Sequence, residues 1–306
     1  MLLCLINYKI KENEYISMDS TIYNKKLTVI IVSFHSHHVI ENLINGLGKN
    51  IKIIVIENSL DNKLKSNLES KFKNVQVIIP KKNLGNGGGI NLGLSLVKTE
   101  FSLYLDADTI PEKDMIDVLL GNTEKIKNFS ILAPKEQNYN YGEDQYVEHD
   151  KSKSYHKMKF ITGCALLFNM KSLNKTGYFD ENIFLYYEEH DLYHRCLKSG
   201  LDIYLIDDAK FIHHGTSSTN SSYNHEIYLN RNWHYCWSKF YYFKKNYGYF
   251  YGIRKTIPNF FRALRKYIFY KSVGNKKNSS LHMAEMRGLV TSYFLRKSSR
   301  RPKIDT

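Results

Sequence analysis

No run of apolar residues in this 306-residue chain reaches the ~18 that a membrane-spanning helix needs, so none is expected. The opening, MLLCLINYKIKENEY, is briefly apolar, but no basic segment precedes it and no small-residue cleavage site follows. A secretory signal is therefore not expected. Residues 1–26 are expected to be an extension, with Met18 standing just upstream of the first convincing strand. Cysteine is scarce: Cys4, Cys164, Cys196 and Cys236 form no CxxC pair and no zinc-site spacing. That leaves them as small buried hydrophobes in a reducing compartment. Internal repeats are absent. Acids are scarce in one place only. Residues 225–306 hold 18 Lys/Arg against 3 Asp/Glu, a balance of +15, so residues 1–224 contribute −1 to the chain's net +14. This asymmetry predicts a functional boundary near residue 224.

What is present is an alternation of strands and helices. LTVIIVSF (27–34) and IKIIVIE (51–57) are continuous β-branched runs of the kind buried on both faces of a sheet. VQVIIP (75–80) and FSLYLDAD (101–108) follow, with helices expected over 38–49, 61–72 and the Gly-rich NLGNGGGINLGLSLV between them. The order predicts a mostly parallel α/β sheet with helices on both faces. Its ligands would bind beyond the carboxyl ends of the strands. Ser33, Glu57, Asn58, Asn83, Asp106 and Asp108 stand at those ends. The span 135–159 reads as a loop, FITGCALLF (160–168) and LDIYLID (201–207) as strands, and 180–200 as containing a helix.

Four features carry chemistry. Gly85, Gly87, Gly88, Gly89 and Gly93 fit neither GxGxxG nor GxxxxGK[ST]. A plain turn explains one or two of them; three in a row before a helix suggest close approach to a phosphate or sugar. Asp106 and Asp108 form an Asp-x-Asp at a strand end, a set of oxygen ligands suited to Mg²⁺ or Mn²⁺. A cap on a helix starting at TIPEKD would account for Asp108 or Thr109 but leaves Asp106 unexplained. In YYEEHD (186–191) three carboxylates fall within four positions at a helix start, where the helix dipole favours an ionised base. Asp191 can instead pair with Arg195 at i, i+4. His213 and His214 close the last strand, and a His there is a candidate third metal ligand.

Together these segments resemble the inverting family-2 glycosyltransferases with a GT-A fold, and most closely the rhamnosyltransferase-like enzymes of bacterial surface-polysaccharide assembly. TVIIVSFHS, VIENSLD, NLGNGGGINLGL, LDADT and GYFDENIFLYYEEHDLYHRCLKSG with DDAKFIHHGTSST stand in the family's order, over about residues 27–240. The resemblance implies a sugar donor carried on a nucleoside diphosphate, a glycan or lipid-linked glycan acceptor, and a divalent cation, Mg²⁺ or Mn²⁺. It implies that Ser33, Glu57, Asn58, Asn83, Gly85 and Asp106 line the donor site. It implies metal ligation by Asp106, Asp108 and His213, and Glu189 as general base, with Asp191 and Glu188 as fallbacks. Glu57 and Glu189 each replace the family's usual Asp. Many rhamnosyltransferase-like members carry Asn where this chain has Asp106.

The expected units are residues 1–26, a catalytic domain over 27–224, and a helical, aromatic, Lys/Arg-rich tail over 225–306. Tyr223, Tyr228, Trp233, Tyr235 and Trp237 interleave with Arg231, Lys239 and Lys244. Residues 257–271 set Ile257, Phe260, Phe261, Leu264 and Ile268 opposite Lys255, Arg262 and Lys266, the pattern of an interfacial helix on anionic lipid. The same face could instead pack on the catalytic domain. No RRM, KH or helix-turn-helix signature supports nucleic acid as a partner. The expected location is cytoplasmic, peripheral to the inner face of the cell membrane. Two rival functions are a catalytically impaired nucleotide-sugar-binding protein and a nucleotidyltransferase. The second would need a Gly-rich basic loop where SFHSHHVIENL stands.

Overall fold

A computed structural model describes residues 25–213 and 224–304. Residues 1–24 of the expected extension, His214, Tyr223 and the stretch just before the boundary expected near 224 lie outside the described residues. The N-terminal half alternates as expected: β1 (Leu27–Ser33), α1 (His37–Leu47), β2 (Lys52–Glu57), α2 (Asn62–Lys71), β3 (Val75–Ile78), α3 (Gly85–Leu94) and β4 (Phe101–Asp106). Then come β5 (Thr109–Pro111), α4 (Met115–Lys125), β6 (Phe129–Glu136), β7 (Tyr155–Lys157), β8 (Ala165–Asn169), α5 (Met170–Thr176), α6 (Glu188–Lys198) and β9 (Asp202–His213). Three helices follow, α7 (Asn224–Tyr247), α8 (Tyr249–Ser272) and α9 (Lys276–Tyr293).

The sheet runs β3-β2-β1-β4-β8-β6-β9-β5, with β7 also pairing β9. From β3 to β4 the strands are parallel, and β8 enters antiparallel to both β4 and β6. Because side chains alternate across a strand, neighbours in β1 serve opposite cores. Val29 and Ile31 pack with α1, α2 and α4 through Leu43, Leu64 and Leu119. Ile30 packs on the other face with α3 and α6 through Ile90, Leu94 and Leu192. Each such aliphatic contributes roughly 1.5–3 kcal/mol by leaving water. Helices thus cover both faces, and the carboxyl ends of β1, β2 and β4 open at one edge.

Several boundaries differ from expectation for identifiable reasons. β4 stops at Asp106, because a turn at residues 107–108 redirects the chain into β5. Neither Asp108 nor Thr109 caps a helix; α4 begins behind Asp114. The strand expected over 160–168 forms only from Ala165, and β9 runs on to His213 through an irregularity in its pairing with β6 near Lys210. The span expected as a loop contains β7 and a short 3₁₀ turn.

The basic C-terminal region is bound to the sheet domain rather than set apart from it. Ser238 Oγ donates to Leu185 O at 2.8 Å, and Lys245 Nζ pairs with Asp180 and Asp191, both at 2.8 Å. A Cβ on Gly288 would lie 2.2 Å from Trp233 O, so only glycine allows α9 to approach α7 this closely. Residues 294–303 then cross back over α7. Trp237 Nε1 donates to Arg296 O at 3.0 Å, His234 Nε2 lies 3.0 Å from Arg300 O, and Arg300 pairs with Glu226 at 2.7 Å. Helix α8 starts eight residues earlier than expected and passes through Pro258. Pro258 and Arg254, whose carbonyl the proline deprives of a donor, are both exposed, so water can satisfy that carbonyl. No helix among the described residues is long and apolar enough to cross a membrane.

Candidate active site

A cavity of about 450 Å³ opens at the carboxyl ends of β1, β2 and β4, bounded by the start of α6 and one side of α7. Its acidic corner is set by strand register. Thr109 of β5 faces His213 of β9, which brings the end of β9 beside the turn after β4. His213 Nε2 lies 3.3 Å from Asp108 Oδ1 and 3.7 Å from Asp106 Oδ2. Its Nδ1 faces Glu136 Oε1 at 3.6 Å and Cys164 Sγ at 3.3 Å. The hydrogen bond with Asp108, more than any other influence, raises the imidazole above its ordinary value. Burial raises the Asp106 carboxyl to about 6 against the opposing effect of the Tyr104 hydroxyl bonded to it, with Asp108 adding to the rise.

The donor set suits a hard divalent cation. One oxygen of Asp106, a nitrogen of His213 and Cys164 Sγ lie within 4.8 Å of one another. Hard Mg²⁺ or Mn²⁺ takes carboxylate oxygen and imidazole in preference to a soft thiol, which leaves Asp106 and His213 as the better-matched ligands of this group. Two carboxylates converge on the Nε2 side of His213, where a cation would relieve their repulsion. Glu136 stands at the Nδ1 side, where an orienting partner belongs.

Helix α6 brings the second group of acids. Tyr186 and Tyr187 both hold left-handed backbone, with φ of 63° and 67°, a conformation rare outside glycine. Tyr187 is fixed there by rings from α7: Tyr235 and Tyr242 have centroids 5.7 and 5.5 Å away. This sharp entry sets Glu188 and Glu189 at the cavity wall, on the first turn of the helix. Glu188 is nearly fully buried; Asn86 Nδ2 donates to its Oε1 at 3.1 Å, and its Oε2 has no partner. Burial, with the charge of Glu189 added, holds its carboxyl well above the usual range. Glu189 stays open to the cavity and packs beside Gly163. A run of contacts, Glu188–Asn86–Tyr104–Asp106, joins the two acidic corners.

Asp191 does not belong to this site, which corrects its place among the catalytic candidates. It is completely buried and paired with Arg195 at 3.0 Å and Lys245 at 2.8 Å, and it ties α6 to α7. The i, i+4 pairing with Arg195 is present as the spacing suggests.

Among the donor-site candidates, Asn58, Asn83 and Gly85 line the cavity with Asp106. Asn58 Nδ2 donates to Gly85 O at 2.9 Å, and Asn83 Oδ1 accepts from Gly85 N at 2.9 Å, so both asparagines shape the loop before α3. Ser33 and Glu57, opposite each other in the β1–β2 register, are fully buried beneath the cavity and do not line it. Glu57 Oε1 accepts from Ser59 N at 2.7 Å, and Ser59 Oγ accepts from His35 N at 3.3 Å. Their position allows them to brace the loop that carries Phe34 and Ser36 rather than to touch a ligand directly. Burial raises the Glu57 carboxyl.

The glycine run also has a different cause from the one expected. A Cβ on Gly85 would lie 2.1 Å from Phe184 O, and one on Gly93 2.6 Å from Ile30 Cγ2. Gly87 faces Phe179 and Glu188, and Gly89 faces Val32. These glycines let α3 lie against β1 and the segment before α6; what approaches them is protein.

Sequence reasoning missed the far wall. Asn230 and Arg231 of α7 and Pro302 of the returning tail line the same cavity. Arg301 stacks on the Phe184 ring, 3.8 Å from its centroid. The RNW sequence within an aromatic stretch was the available signal, but it was absorbed into the surface pattern of the tail.

Residues 28–197 match the family described as Glycosyl transferase family 2. A low-salt glycan biosynthesis hexosyltransferase, Agl10 of Haloferax volcanii, is 24% identical over 224 residues, covering 66% of this chain and 72% of that protein. Among solved structures, the mannosyltransferase PcManGT of Pyrobaculum calidifontis, in complex with GDP-Man and Mn²⁺, aligns with a TM-score of 0.56 at 12% identity. That alignment covers 90% of this chain and 88% of the other. S. aureus TarS 1–349 in complex with UDP-GlcNAc aligns with a TM-score of 0.51 at 14% identity, over 89% and 92%. Against longer structures the chain spans less: 38% of a longer TarS chain and 43% of a GalNAc-T7 chain.

Proposed function

The chain belongs to glycosyl transferase family 2, and from that premise we propose that it is an inverting, divalent-metal-dependent transferase. It moves a hexosyl or deoxyhexosyl group, a rhamnosyl group included, from a nucleotide-diphosphate sugar to a glycan or lipid-linked glycan during surface-polysaccharide assembly. The observation that carries this reading is the meeting, in one cavity, of Asp106, Asp108 and His213 on one side and a cavity-facing Glu189 beside a buried Glu188 on the other. The metal and nucleotide-sugar complexes of the similar structures support it.

Asp106, Asp108 and His213 would hold Mg²⁺ or Mn²⁺, which supplies charge neutralisation for the leaving diphosphate. Glu189 accepts the proton of the acceptor hydroxyl. That oxygen forms a bond to the anomeric carbon on the face opposite the diphosphate. The bond to the diphosphate breaks, its electron pair leaves with the phosphate oxygen, and the anomeric configuration inverts. No second carboxylate is needed as an acid, because a diphosphate departs unprotonated. Asn58 and Asn83 shape the donor pocket, with Ser33 and Glu57 bracing it from below.

The exposed face of α8 supports peripheral attachment to anionic lipid at the cytoplasmic face of the membrane. Phe250, Phe261 and Ile268 are 86, 60 and 58% exposed, with Arg254 and Arg265 on the same outer face and Lys255, Arg262 and Lys266 along its flank. A screen of nucleotide sugars, scoring acceptor-dependent release of UDP, GDP or TDP, tests the function. Release with no donor, while nucleotide sugars still bind, would leave a catalytically impaired binding protein instead.

A further inference from the structure

Among the described residues lining the catalytic cavity, Arg231 is the only lysine or arginine, against four acidic residues, Asp106, Asp108, Glu188 and Glu189. It is half-buried, and it makes no hydrogen bond or ion pair with any described residue. Holding a desolvated cation without a partner costs stability, so an unpaired guanidinium aimed into a cavity points to an anion supplied from outside. The neighbouring residue gives an independent sign of the same kind. Asn230, 5% exposed and also lining the cavity, has an Oδ1 atom that is buried with no partner. Both residues lie in α7, within about one and a half turns of Tyr235, whose ring packs edge-on against Tyr186 with centroids 5.8 Å apart. The segment that enters α6 and the unpaired pair are therefore held together.

We propose that Arg231 binds the diphosphate of the nucleotide donor, its guanidinium fork taking the phosphate next to the sugar, while the Asn230 carboxamide receives a hydroxyl or amide hydrogen of the same ligand. The assignment rests on the function proposed above. Among the described residues, the cavity offers the diphosphate this one Lys/Arg side chain, and the planar five-donor fork of arginine matches phosphate oxygens in a way an ammonium does not. Bond breaking leaves additional negative charge on that phosphate, and Arg231 would stabilise it without moving a proton.

The test compares UDP, GDP and TDP with UMP, GMP and TMP, binding to the full chain in the presence of Mg²⁺ and measured by calorimetry. For the diphosphate that binds the wild-type protein, Arg231→Met should weaken affinity on the order of 10- to 100-fold, the scale of a hydrogen-bonded charge. Affinity for the matching monophosphate should change by less than about twofold, and Arg231→Lys should fall between. Equal losses for mono- and diphosphate, or none for either, would overturn the assignment. A misfolded Arg231→Met protein would be recognised by circular dichroism, and Arg231→Lys then decides by the same ratio. Failure of the wild-type protein to bind any diphosphate would overturn the underlying function, and this assignment with it.

Discussion

The Nε2 atom of His213 lies 3.3 Å from Oδ1 of Asp108, although more than a hundred residues separate them along the chain. The pairing of Thr109 with His213 produces that approach. Chelation with EDTA should therefore abolish sugar transfer, and excess Mn²⁺ should not rescue Asp108→Ala. Glu136→Gln, which alters the group facing His213 Nδ1, should weaken Mn²⁺ binding by roughly 10–100-fold. Calorimetric Mn²⁺ titration measures both variants; full activity in chelator would sink the metal assignment.

Glu189 and Glu188 should respond differently to the same change. Glu189→Gln should keep donor affinity and lose turnover by about 10² or more. Glu188→Gln, at a buried position whose carboxyl is pushed upward by burial and by Glu189, should lose far less. Asp191→Asn should show its effect in urea melts, because it weakens the buried pairing with Arg195 and Lys245. A fully active Glu189→Gln beside a dead Glu188→Gln would move the base by one residue.

The parallel half of the fold was legible because Ile30, Ile54 and Leu103 belong to continuous apolar runs, which only a doubly covered sheet accommodates. The Asp-x-Asp, the acid cluster and His213 were legible as chemistry because metal and base sites draw on few residue types. The glycines of α3 left their partner open: a missing Cβ shows that something comes close but not whether it is a ligand or Phe184. Pro258 hid the first turns of α8, since its cost falls on one exposed carbonyl. The contribution of Asn230, Arg231 and Pro302 to the cavity could not be seen, because it depends on how α7 and the returning tail cross the sheet domain.

Membrane association should follow the charge of α8. Each basic residue near an anionic surface contributes about 1 kcal/mol, and the exposed apolar side chains add to that. The protein should co-sediment with vesicles containing anionic lipid, come off at high salt and ignore neutral vesicles. Replacing Arg262, Arg265 and Lys266 with Glu should abolish sedimentation without changing Mn²⁺ or donor affinity. Equal sedimentation with neutral and anionic vesicles would remove the electrostatic basis of this reading.

His234 makes the tail sensitive to acid. Burial lowers its value to about 3, against 6.5 when free, and the neutral ring lies between Arg300 O and Ser298 Oγ. A depressed histidine contributes stability that is present above pH 6.5 and lost as pH falls through the range towards 3. Between pH 7.5 and 5 this one group should remove about 2 kcal/mol. Glu57 and Glu188, with raised values, act in the opposite direction. The comparison that isolates His234 is therefore wild type against His234→Gln, in urea melts at both pH values. Parallel losses in the two proteins would assign the pH dependence elsewhere.

The β5–β9 pairing also bears on when the protein becomes competent. Joining Thr109 to His213 closes one of the longest loops in the sheet, a connection whose entropic cost delays it relative to local contacts. The first two carboxylates can be in place at the end of β4 and in the turn after it while the imidazole is still unplaced. High-affinity Mn²⁺ capture during refolding therefore marks closure of the far side of the sheet, and a chain that has collapsed without that closure has the composition of the metal site but not its affinity.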